Sequence, residues 1–188
     1  MTILPFDEIN AFKTWVREVY YEQRNKLTKD DEEDIIDELL DLFLLAYAQG
    51  NLETNKSLSS SYQPTLDEVM ETVDREIAGK TWKQRVEEIF SNGGGADEII
   101  RIAETETHRD ANEAALKSAK KANAKSKTWV TMLDDKVRDT HFPLEGQTIP
   151  IDADFYTYDG DMAQAPGLFT NPENNVNCRC ELRFSKEK

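Results

Sequence analysis

Between positions 96 and 125 the chain runs without a single proline or glycine and is rich in Ala, Glu and Lys. Such a stretch has little to interrupt α-helical hydrogen bonding, so the sequence predicts its longest helix here. Ala103, Ala111, Ala114, Ala115, Ala119 and Ala122 lie along it and would let neighbouring elements approach closely. Downstream the pattern changes. Residues 128–133 read as a strand, 134–141 as a short helix or turn, and 143–177 as a long excursion punctuated by Gly146, Pro150, Gly160, Pro166, Gly167 and Pro172. The last segment, 178–184, alternates with period two, placing Cys178, Cys180, Leu182 and Phe184 on one face and Arg179, Glu181 and Arg183 on the other, as in a half-buried strand. The expected class is α+β: a mostly helical N-terminal part, then a long helix packed on a small antiparallel sheet with a long irregular excursion.

Upstream, Ile9, Phe12, Val16, Val19 and Tyr20 recur at helical spacing from near Phe6, leaving Arg17, Glu18, Glu22 and Arg24 to solvent. A second helix is expected after Thr28, an N-cap followed by acidic residues that suit the positive end of the helix dipole, and it is expected to end near Gly50. Its second half is apolar almost all round, so it is buried on several sides or docks a partner. The Ser-rich residues that follow read as a connecting loop, which divides the chain into an acidic helical region at 1–56, a linker at 57–64 and a module at 65–188. Thr65 with Glu68, and Thr81 with Gln84, form two capping boxes. The first opens a helix expected to stop at Gly79, and the second a helix stopped by the three glycines at 93–95, which read as a flexible joint.

Charge narrows the function classes. With 37 acidic against 23 basic side chains the net charge is −14, which repels phosphate backbones on average. Residues 1–95 carry 20 acids and 10 bases, a net of −10, so the remainder holds only −4. Within it, Lys117, Lys120, Lys121, Lys125 and Lys127 form a run with no acid among them. Lys117, Lys121 and Lys125 are four apart and would share one helix face, suited to nonspecific DNA contact; the alternative is a solvated helix end whose cations offset the dipole. The longest unbroken apolar run, residues 42–48, is far short of the ~20 needed to cross a bilayer, so no membrane partner is expected. The first eight residues lack the basic start and apolar stretch of a signal peptide, which points to synthesis in the cytosol.

Few residues suggest chemistry. Cys178, Cys180 and His141 are candidate ligands for zinc, completed by His108 or Asp139, because Cys two apart on a strand project to one side. The other reading is that these cysteines are small hydrophobes on an inward strand face. A disulfide between them is disfavoured, since an extended strand holds alternate residues farther apart than the ~3.8 Å Cβ separation a bridge needs. Glu104 and Glu106 resemble an acid pair or the E-x-E of ADP-ribosyltransferases. Two residues apart on a helix, however, they point about 200° apart, and neither the Ser-Thr-Ser strand nor the scaffold of those enzymes precedes them. His108 and Arg109 could form a polar cluster with Glu104 or Asp110, or remain exposed. There is no phosphate-binding glycine loop, H-E-x-x-H or G-x-S-x-G. No catalytic residues and no cofactor are expected, with zinc the one ion considered.

Several segments in order nevertheless look familiar: Ile99-Ile-Arg-Ile-Ala-Glu-Thr-Glu-Thr-His-Arg-Asp-Ala-Asn112, Thr128-Trp-Val-Thr-Met-Leu-Asp-Asp-Lys-Val-Arg-Asp-Thr-His141, Leu144-Glu-Gly146, Ile149-Pro-Ile151, Phe155, Pro166-Gly167 and Asn177-Cys-Arg-Cys180. Over about residues 80–184 the chain resembles the phage Mu F-type minor head protein family. The resemblance implies a structural protein of tailed-phage or prophage head morphogenesis, made in the host cytoplasm and located inside the capsid of the virion. It would associate with the portal protein, with other capsid or scaffolding proteins, and with packaged or ejecting DNA. It implies that Trp129 packs a strand, that Arg138 and His141 brace the excursion, and that residues 177–180 close the sheet. Where the family commonly has Arg before Thr-Glu, this chain has Glu104. The acidic N-terminal helices would dock the portal or another head component, or simply cap the core. The rival classes are a prophage-associated toxin enzyme, disfavoured because the chain stops soon after Cys180, and a zinc-stabilised binding module.

Overall fold

A computed structural model describes residues 6–23 and 26–187; Arg24 and the terminal residues of the expected signal-free start lie outside the described residues. Five helices precede the sheet: α1 (Phe6–Glu22), α2 (Lys29–Leu58), α3 (Leu66–Val73), α4 (Trp82–Ser91) and α5 (Ala96–Lys121). Strands β1 (Ser126–Val130), β2 (Thr148–Pro150) and β5 (Glu181–Ser185) form an antiparallel sheet in the order β2-β1-β5, and β3 (Phe155–Tyr156) pairs with β4 (Met162–Ala163) in a separate small hairpin. The expected α+β class is observed. Both expected capping boxes are formed, Thr65 with Glu68 and Thr81 with Gln84, and the expected N-cap Thr28 makes a third with Asp31. At the second, backbone and side-chain donors at Thr65 and Tyr62 hold the Glu68 carboxyl at about 2.

The longest helix is α2, at 30 residues, rather than α5, at 26. It does not end near Gly50 but continues to Leu58, where Ser59 takes a left-handed cap conformation. The physical reason is packing. A Cβ on Gly50 would sit 2.1 Å from the carbonyl oxygen of Ala111, so the glycine is a point of backbone contact between α2 and α5. Ala46, Ala111 and Ala115 extend this seam of small residues. Beyond it the polar residues Asn51, Thr54 and Asn55 are buried in the helix instead of looping out. Ser118 Oγ donates to Asn51 Oδ1 at 2.6 Å, and Asn55 Nδ2 donates to the Tyr62 carbonyl at 2.8 Å. Helices on both sides of the Ser-rich loop therefore share one core.

That core comprises Phe12, Val16, Leu39, Phe43, Trp82 and Ile99, contributed by α1, α2, α4 and α5. A second core lies between the far end of α5 and the sheet, formed by Leu116, Trp129, Leu144, Phe155, Phe169 and Leu182. Helix α3 is shorter than expected. It stops at Val73, and Ala78 and Gly79, both at positive φ, form a tight turn that brings Ile77 and Lys80 into a two-residue bridge. Strand β1 starts two residues earlier than expected, and β5 begins only at Glu181, so Cys178 and Cys180 precede the strand. Both sulfurs still face inward.

Candidate functional site

The interior of α5 carries an unusual density of charge. Glu106, Arg109, Asp110 and Glu113 recur at spacings of three and four, and all are at most 3% exposed. Arg109 Nη1 lies 2.7 Å from Glu106 Oε2, close but off the hydrogen-bonding axis, while Nη2 donates to Asp110 Oδ1 at 3.0 Å. The same guanidinium nitrogen donates to the carbonyls of Thr72 and Val73, the last residues of α3. A cation therefore meets the negative end of the α3 dipole and adds a donor to its terminal carbonyls. Arg85 on α4 pairs with Glu106 at 2.7 Å, and Arg75 with Glu113 at 2.5 Å. Burial pushes the Asp110 carboxyl up, against the pull of Arg109. The network ties α3 and α4 to α5, and its outer pair, Arg75 and Glu113, borders an open cavity. It was visible in sequence only as i, i+3 and i, i+4 charge pairs, which on most helices are solvated.

Glu104 faces elsewhere and pairs with Lys13 of α1 at 2.6 Å, so Glu104 and Glu106 occupy separate surroundings, as helix geometry required. His108 is buried, and burial pulls it to about 4, leaving the ring neutral. Its Nε2 stands 2.7 Å from the carbonyl oxygen of Cys180, to which Asn112 Nδ2 also donates at 3.3 Å. Two side chains of α5 thus clamp the backbone of the Cys-Arg-Cys segment.

That clamp places the cysteines against His141. Its Nδ1 is 3.6 Å from Cys178 Sγ and 3.5 Å from Cys180 Sγ, with all three residues buried. Interaction between the two thiols pulls Cys178 down, and together with burial it pushes Cys180 up. Neither expected fourth ligand joins them: His108 is engaged with the Cys180 backbone, and Asp139 is exposed. Trp129 packs its edge on His141 and Phe155, with ring centroids 5.5 and 5.0 Å apart, and Phe169 stacks on His141 at 5.2 Å. Arg138 Nη2 donates to the Val176 carbonyl, bracing the end of the excursion, and Asn177 turns the chain into the cysteines through a positive φ of 58°. A residue that sequence reading missed, Asp161, gathers the excursion by accepting from the backbone of Met162, Thr170 and Asn171 and from Asn174 Nδ2.

The five lysines do not make one basic face. Lys117 bonds Thr72 Oγ1 at 2.6 Å and lies 3.4 Å from Glu113. Lys120 meets Asp152 at 3.1 Å; Lys121 meets Glu68 at 3.4 Å and lies over the Tyr62 ring. Lys125 falls beyond the end of α5 and is exposed. Lys127 is fully buried, its Nζ lacking a hydrogen-bond partner and standing 5.6 Å from the centre of the Phe155 ring. Burial pulls its ammonium down to about 8. The penalty of burying that charge is present below about pH 8 and fades as pH rises toward the unfolded-state value near 10.4. Lys127→Met is therefore expected to raise stability by about 1–2 kcal/mol at neutral pH. Thermal unfolding across this window should show the gain shrinking as pH rises; a variant less stable than the parent at neutral pH would refute the account.

The family of phage Mu protein F like proteins matches this chain over residues 63–183, from just ahead of α3 into β5. The chain is 35% identical over 85 residues to minor head protein GP7 of Bacillus phage SPP1, a match covering 44% of this chain and 28% of that one. It is 34% identical over 88 residues to NAD(+)-arginine ADP-ribosyltransferase EFV of Enterococcus faecalis, covering 44% of this chain and 18% of that one. The chain thus spans less than a third of the length of these curated relatives. No solved structure matches it. The family match takes in the buried α5 network, the Trp129 core and the His141 and cysteine cluster, and on this ground the chain belongs to the family of phage Mu protein F like proteins.

Proposed function

We propose that this protein is a structural minor head protein of a tailed phage or prophage, incorporated during head morphogenesis through contact with the portal protein and other head components. What carries the reading is the family match over residues 63–183, supported by the likeness to a phage minor head protein. The geometry is in keeping with it, since the buried charges of the matched segment, Glu106, Arg109 and Asp110, are engaged in holding α3 and α4 to α5. The exposed acidic residues of α1 and α2 supply a surface for a partner with basic groups. We assign no DNA-binding role to the lysine run, because three of its members pair with acids of this chain and a fourth is buried.

The likeness to an ADP-ribosyltransferase raises a second reading, that of an enzyme. The E-x-E of this chain does not support it: Glu106 is buried between Arg85 and Arg109, and Glu104 is paired with Lys13. Procapsids purified from cells producing the whole head gene set are expected to contain this protein, and the portal is expected to co-purify with it from disrupted heads. Its absence from assembled heads would remove the proposal.

A further inference from the structure

The cluster of His141, Cys178 and Cys180 has the dimensions of a metal site. Around a tetrahedral zinc, with Zn–S of about 2.3 Å and Zn–N of about 2.0–2.1 Å, a sulfur and a nitrogen ligand stand about 3.5–3.6 Å apart. The two Sγ to Nδ1 separations are 3.6 and 3.5 Å, and the three candidate ligand atoms all lie within 4.8 Å of one another. Nδ1 is the ring nitrogen turned to the sulfurs, while Nε2, on the other side of the ring, has no hydrogen-bond partner among the described residues. Adjoining His141 and Cys180 is a small cavity of about 10 Å³, also bordered by Arg138, Asn177 and Arg179, which is room for one water.

We infer that His141, Cys178 and Cys180 form a zinc site, with two thiolates and one imidazole from the protein and a water in the fourth position. Binding displaces one proton from each thiol, so Zn²⁺ plus two thiols gives a neutral zinc dithiolate and two released protons. Neutrality suits the place: a dication balanced by two thiolates leaves no net charge among Trp129, Phe169 and Leu182. The geometry is prepared before any ion arrives. The positive φ at Asn177 and the hold of His108 and Asn112 on the Cys180 carbonyl fix the backbone on either side of the two cysteines. The imidazole comes from the turn before β2, so the ion would bolt the two ends of the 143–177 excursion together. This inference stands independently of the proposed role in phage heads.

The test uses the full chain, reduced and freed of metal. On addition of zinc, one equivalent is expected to bind per chain with release of two protons in weak buffer. The midpoint of thermal unfolding should rise as free zinc increases. Cobalt in place of zinc should give thiolate-to-metal absorption in the near ultraviolet. The chain has only two cysteines, so alkylation of the native protein reports on this site alone, and zinc should slow it at both. Cys180→Ser should weaken zinc binding at least tenfold. If that variant does not fold, proton release and alkylation of the unaltered chain decide the matter. Sub-stoichiometric zinc on the unaltered chain, thiols that react equally fast with and without zinc, or undiminished zinc on a folded Cys178→Ser/Cys180→Ser variant would each overturn the site and leave a packing cluster.

Discussion

Replacing Gly50 with alanine is expected to destabilise the protein by about 3 kcal/mol, although alanine is the better helix former by about 1 kcal/mol. The new Cβ would lie 2.1 Å from the carbonyl oxygen of Ala111 and 2.9 Å from its carbonyl carbon. Both are backbone atoms, so no side chain can swing aside; the helices themselves must separate. Ala46, Ala111 and Ala115 form the adjoining seam and would lose contact with it. Gly79→Ala is the control. It has a positive φ of 76° but nothing within 4 Å of its Cβ position, so only local backbone strain of about 1 kcal/mol is expected. For a chain of this size the Gly50 variant should melt roughly 6–12 °C lower. Equal melting of the two variants would show that the close approach of α2 and α5 carries no such constraint.

Arg109→Met should cost about 3–5 kcal/mol, because it strips the cation from a site where Glu106 and Asp110 remain fully buried. It also removes the donor to the Thr72 and Val73 carbonyls, loosening the end of α3. Arg85 still reaches Glu106, but Asp110 loses the Arg109 cation hydrogen-bonded to it. The pH dependence follows from the direction of the Asp110 shift. A carboxyl whose folded-state value is raised binds its proton more tightly when folded, so its contribution falls as pH rises above the unfolded value of about 3.9. Without Arg109 that rise grows, and the variant should be hurt less near pH 4 than at neutral pH. Adding Glu106→Gln and Asp110→Asn should recover part of the loss at neutral pH. Chemical denaturation of the three proteins checks both points, and a loss independent of pH with no recovery would refute the electrostatic account.

Much of this was legible because it is local. The N-cap Thr28 and the boxes of Thr65 with Glu68 and Thr81 with Gln84 satisfy backbone donors within one turn, so a few neighbouring residues suffice to announce a helix start. Helix ends were harder. Gly50 reads as a terminator and Gly79 as the end of α3, yet one is a contact point between helices and the other part of a turn that follows an Arg109-capped terminus. The lysine run misled for a similar reason. Spacing by four describes a face only while the helix lasts, and it cannot register that Glu68, Glu113 and Asp152 lie opposite.

By itself the sequence determined the α+β class, the helix starts, the family through its ordered motifs, and the short set of residues able to hold a metal. These are properties of near neighbours in the chain, or of residue types too rare to have rivals: two histidines and two cysteines. Tertiary structure decided which of those residues meet. It brought His141 to the cysteines across nearly 40 positions, set His108 to holding backbone instead of joining them, and buried Glu106, Arg109 and Asp110 where spacing alone allows a wet helix face. The physical reason is that burial and charge pairing depend on what lies across the interface from a side chain, and the helix pitch that sets a residue's own face carries no information about the surface opposite.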